Sequence, residues 1–188
     1  VTNLFIIIII DYAISLAVCL RVGTNLGKGS VEGAKAAMLS GFLIAVPIAL
    51  LSAMVLILNH DFIFSFYTDS ELVIETARYS TYATCAAIVV DACQTVLNGT
   101  LRALRRQGRI LIYYFLCNVL LSWVVALVLV KVVFVDYSEA VRAAALWVGL
   151  TVGWSVYGIV VAIMVWNVDW QHEVKLVREE EAELQKIK

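Results

Sequence analysis

Residues 86–109 read AAIVVDACQTVLNGTLRALRRQGR. The stretch opens as an apolar helix and closes in Arg102, Arg105, Arg106 and Arg109, with a single acid, Asp91, inside the apolar part. An apolar run that ends in basic residues is the pattern of a membrane helix whose basic end lies at the cytoplasmic surface. Arg102 marks that edge. At about 1.5 Å per residue, Asp91 lies roughly 16 Å from it, near the middle of a ~30 Å hydrocarbon core. An Asp at that depth costs about 2.5–3.5 kcal/mol on insertion scales, and it is too short to snorkel to water.

The neighbours of Asp91 extend the question. Gln94, Thr95 and Asn98 follow it at i+3, i+4 and i+7, and Thr84 precedes it at i−7, all on one helical face. Val89, Ala92, Cys93 and Val96 occupy the other. A polar stripe at membrane depth must face a cavity or other helices. An interhelical hydrogen-bond seam accounts for Gln94, Thr95 and Asn98 as well as a binding site does. The cost of an acid weights Asp91 towards function. A second acid, Asp11, stands ten residues before Arg21 and so at about the same depth. Two carboxylates in one cavity do not both carry charge easily, and one poised that way can exchange a proton for a cationic substrate.

The whole chain agrees with a membrane setting. Of its 188 residues 62% are hydrophobic and only 15% charged, against about half and a quarter in soluble domains. The mean hydropathy is +0.91. Five apolar runs are long enough to span, at 2–20, 38–58, 79–98, 110–130 and 143–166. They lack the alternation of barrel strands, so the fold class is an all-α integral membrane protein. Residues 1–166 form the transmembrane unit and 167–188 a cytoplasmic tail, rich in helix formers without Gly or Pro. The connections after the first, third and fifth spans are basic and the other two poorer in base, which places the C-terminus in the cytoplasm. The chain opens on Val1 within an apolar run, without a basic n-region or cleavage site, and reads as a fragment rather than a signal peptide.

Other chemistries find little support. The net charge of −1 gives no nucleic-acid footprint. Cys19, Cys85, Cys93 and Cys117 all lie in apolar spans and read as small buried hydrophobes, with no disulfide, metal site or other cofactor expected. His60 and His172 lie outside the spans, and neither G-x-S-x-G nor H-E-x-x-H occurs, so an enzyme is not expected. Gly23, Gly27 and Gly29 read as a cytoplasmic turn. Asn118, Trp123, Trp154 and Tyr157 are candidates for pocket lining or for core packing.

Several stretches together resemble one family. RVGTNLGKGS (21–30), FYTDSELV (66–73), DACQTVLNGTLRALRRQ (91–107), LWVG (146–149) and DWQHEVKLVR (169–178) are similar, in order and spacing, to segments of the multidrug and toxic compound extrusion family. The resemblance implies helices eight to twelve of a twelve-helix, two-lobe antiporter, most of its C-lobe. Such proteins export organic cations in exchange for protons or sodium by alternating access. In eukaryotic members an acid on the tenth helix is required for transport, and Asp91 falls on that position. The implied partners are the lipid bilayer, small organic cations and the N-terminal lobe of the same transporter. Rocking needs both lobes, so this chain is not expected to transport alone.

The sequence also departs from the family. The pattern LRG-x-G is here Leu101-Arg102-Ala103-Leu104-Arg105, and both glycines are lost. A family Asn is expected near Tyr114, a Tyr pair near Asn118 and Val119, and a proline near Val124. Asp11 stands where a proline is common. These departures favour, as the alternative, a non-transporting remnant or membrane-helix interaction module.

Overall fold

In a computed structural model the described residues are 2–65 and 71–187, and most of the FYTDSELV segment lies outside them. Every element among the described residues is helical. They are α1 (Thr2–Gly27), α2 (Val31–Leu58), α3 (His60–Ser65), α4 (Glu71–Ala103), α5 (Gln107–Tyr114), α6 (Ser122–Val128), α7 (Glu139–Trp166) and α8 (Trp170–Ile187). π-helical segments at Phe115–Leu121 and Leu129–Val133 join α5 and α6 into one rod from Gln107 to Val133. Among the described residues five helices are long and apolar enough to cross a membrane.

Each helix overruns the apolar span that marks it, because caps and turns end a helix while lipid contact sets the span. α1 is the clearest case. The glycine turn expected over 21–30 is helical as far as Gly27, and only Lys28 and Gly29 turn. The Thr24 hydroxyl and Asn25 amide donate to the carbonyls of Leu20 and Arg21 and hold the last turn together. Gly29 then takes φ +75°, where L side chains are strained, and the Ser30 and Gly29 amides donate back to Asn25 and Leu26. Ser30 caps α2 by accepting from the Gly33 amide at 3.0 Å. α2 runs through Pro47 as one helix.

α4 is the most buried of the five spanning helices and the hub of the bundle. α1, α2 and α7 all pack on it. The face of α2 turned inward is set by size rather than polarity. Ala34, Ala37, Gly41, Ala45, Ala49 and Ala53 are buried, three or four residues apart, while Leu43, Leu51 and Leu58 point out. Small residues let membrane helices approach closely, and a methyl group on Gly41 would meet Val18 of α1 and Val96 of α4. On its other flank α7 carries the rod. Gly149 lies on Ala126 and Gly153 on Ser122, whose hydroxyl donates within the first π-helical segment to the Cys117 carbonyl at 3.1 Å. The rod's remaining surface, including Leu111, Phe115, Trp123 and Val132, is exposed.

α8 is not the freely solvated helix that its composition describes. Asp169 caps it, accepting from the Gln171 and His172 amides. Trp170 and Val174 are buried, and α8 packs against α1 and α2.

Candidate functional site: a polar groove on α4

α1 and α7 sit on opposite sides of α4 and, among the described residues, do not touch each other. α2 packs on the far side. Two strips of α4 are left uncovered, an apolar one through Tyr82, Ala86, Val89 and Cys93 and a polar one. Thr84, Asp91, Thr95, Asn98 and Arg102 are half-buried, whereas Ala92, Val96, Leu97, Gly99 and Leu101 between them are buried. The spacing of seven, four, three and four residues keeps that strip on one helical face. It forms the floor of a groove with α1 and α7 as its walls.

The wall on the α1 side brings the second acid in. The Ser15 hydroxyl donates to the Thr95 carbonyl at 2.9 Å, and Gly99 lets the Ser15 backbone lie directly against α4. One turn above Ser15, Asp11 is only 2% exposed, and neither of its carboxylate oxygens has a hydrogen-bond partner. Asp11 precedes Ser15 by four residues as Asp91 precedes Thr95, so the Ser15–Thr95 contact brings the two acids to one level. Asp11 is thus the more deeply buried of the two acids, and Asp91 the one open to the groove.

The wall on the α7 side engages two of the predicted residues. Gln94 is buried and its amide donates to the Trp154 carbonyl at 2.7 Å. The Asn98 side-chain oxygen accepts from the Tyr157 hydroxyl at 2.7 Å. Tyr157 is itself buried, edge-on to Tyr114 with ring centroids 5.5 Å apart. Gln94 and Asn98 therefore fasten α7 to α4, while Asp91 and Thr95 face the groove beside α1. Trp154 contributes its backbone, not its indole. Trp123 lies on the exposed outer surface, and Asn118 is buried in the first π-helical segment. Neither belongs to the groove.

Sequence reasoning missed Arg102, which continues the strip at i+11 from Asp91 and places its guanidinium carbon 5.6 Å from the centre of the Tyr12 ring. Its helical phase was the available signal. Among the described residues no group of three or more His, Cys, Asp or Glu side chains is placed to hold a metal. The groove's chemistry is that of two neighbouring carboxylates, which can hold or release a proton or a small cation.

Five membrane-length helices, with a polar-faced one at the hub, define a multi-pass α-helical integral membrane protein. The MatE family model matches residues 1–128. The chain belongs to that family, the multidrug and toxic compound extrusion (MATE) proteins. It is 29% identical over 158 residues to Protein DETOXIFICATION 22 of Arabidopsis thaliana, which covers 84% of this chain and 31% of that protein. It is also 29% identical over 154 residues to Multidrug resistance protein NorM of Vibrio vulnificus (strain CMCP6), covering 79% of this chain and 32% of that one. The chain thus spans about a third of the length of these relatives. Its fold matches the crystal structure of the eukaryotic MATE transporter AtDTX14 with a TM-score of 0.77 at 22% identity, over 91% of this chain and 37% of that chain.

Proposed function

We propose that this chain is the C-terminal part of a secondary active antiporter that exports organic cations in exchange for protons or sodium, with Asp91 as the exchanging carboxylate. One observation carries the reading: an acid within the apolar stretch of the hub helix is open to a groove. Taking Asp91 out of water is costly, so the group stays paired with a cation or neutralised by a proton. Substrate and coupling ion then compete for one carboxylate, and competition of this kind links their opposite movements. Asp11 lies behind Asp91 and adds to the pull on a cation. Gln94 and Asn98 hold α7 in place, and Thr95 offers a hydroxyl in the groove. The basic connections and α8 lie on the cytoplasmic side.

The test is Asp91→Asn in the protein that contains this segment, reconstituted in vesicles with an imposed proton or sodium gradient and a fluorescent organic cation. The expected result is loss of gradient-driven flux with insertion unchanged. Wild-type flux in Asp91→Asn would overturn the role of Asp91. Normal insertion with no flux in the wild type would assign the chain instead to a non-transporting helix-interaction module.

A further inference from the structure

Arg102 sits in the last turn of α4, nearest the basic surface of the bundle. A long basic side chain at that position ordinarily extends outward to water. Here it turns the other way. Its guanidinium carbon lies 5.6 Å from the centre of the Tyr12 ring, and Tyr12 adjoins Asp11 on α1. On the opposite wall the Tyr157 hydroxyl bonds Asn98, one turn before Arg102 on the same helix. The guanidinium lies on the α1 wall of the groove, and Arg102 stands on the same strip of α4 as Asn98, Thr95 and Asp91. Anything that approaches Asp91 from the basic end passes it.

We propose that Arg102, latched on the face of Tyr12, is a charge gate at the mouth of the groove. It repels cations that enter from the basic side and admits them to Asp91 only when it leaves the ring. A cation–π contact suits a latch, being weak enough to open and open to competition from an organic cation on the same ring face. The proposal rests on the reading of Asp91 as a cation-exchanging group, and its test does not depend on transport.

The test places a reporter cysteine, Thr95→Cys, behind the gate, with the four native cysteines replaced by alanine and Asp91→Asn removing the acid nearer to the reporter than Arg102. The full chain is labelled in sealed membranes from the basic side, with a sulfonate-bearing and with a trimethylammonium-bearing methanethiosulfonate. A unit charge about 8 Å away in water alters the local concentration of a monovalent ion roughly twofold, so two reagents of opposite sign differ by about fivefold. The anionic reagent is expected to react faster by that factor. Arg102→Gln brings the rate ratio to about one, and Arg102→Lys restores it. Tyr12→Leu lowers it, since the guanidinium is then free to swing outward. High salt reduces it by screening. A ratio near one in the Arg102 protein, or one unchanged by Arg102→Gln or Tyr12→Leu, overturns the gate and leaves the Asp91→Asn flux test standing on its own.

Discussion

Arg105 holds a left-handed backbone, φ 57°, where α4 ends. The Arg105 and Arg106 amides donate to the Arg102 and Leu101 carbonyls, both at 3.0 Å, the paired bonds of a helix stop that usually has glycine at this position. The family pattern puts its second glycine at this residue, so the departure legible in the sequence has a physical cost. A side chain in that conformation is disfavoured by about 1–2 kcal/mol. Arg105→Gly is expected to stabilise the bundle by about 1 kcal/mol, read as a raised midpoint of thermal unfolding in detergent. An unchanged or lower midpoint would show that the arginine side chain offsets the strain. That Asp11 and Asp91 share a level was legible for a different reason: it depends only on residue counts to Arg21 and Arg102, along helices that run in the same direction. The hydrogen-bond partners of Gln94 and Asn98 were not. One is a backbone carbonyl and the other a tyrosine sixty or so residues away, and periodicity along a single helix carries no information about either.

Among the elements, the α1–α4 contact depends on Gly99. A β-carbon there would run into the Ser15 carbonyl, and α1 would have to move away. Gly99→Ala is expected to cost about 1–3 kcal/mol, as overpacking does in a close-fitted interface, and to lengthen the Ser15–Thr95 bond. Unfolding in detergent measures it, and an unaltered midpoint would mean that the two helices yield more easily than their packing implies. The five spans could be read from apolar length. The inward face of α2 was hidden from hydrophobic periodicity, because lipid and helix neighbours are equally apolar and only side-chain size tells them apart. The Ala34-to-Ala53 ladder, at steps of three or four, was the available signal. α8 was recognisable as a helix, but its docking depends on α1 and α2, which its own composition does not reveal.

For the molecule as a whole, the basic ends of the helices are tied together by α8. Arg106, just past α4, pairs with Glu173 at 2.5 Å, and Arg178 reaches the Lys28 carbonyl between α1 and α2 at 3.4 Å. Both partners of the ion pair are partly exposed, so its contribution is at most about 1 kcal/mol. Arg106→Glu and Glu173→Arg are each expected to raise the protease sensitivity of α8, and the double swap to restore protection. Equal sensitivity in all four proteins would remove the pair from the account. The central claim is that α4 presents one polar face to a groove between α1 and α7. The most direct measurement is a cysteine scan of residues 84–102 with a small water-soluble thiol reagent, in membranes. The account predicts labelling that peaks at Thr84, Asp91, Thr95 and Asn98 and falls to background at Ala92, Val96 and Leu97. Labelling without that helical period, or strongest at Ala92 and Val96, would contradict it.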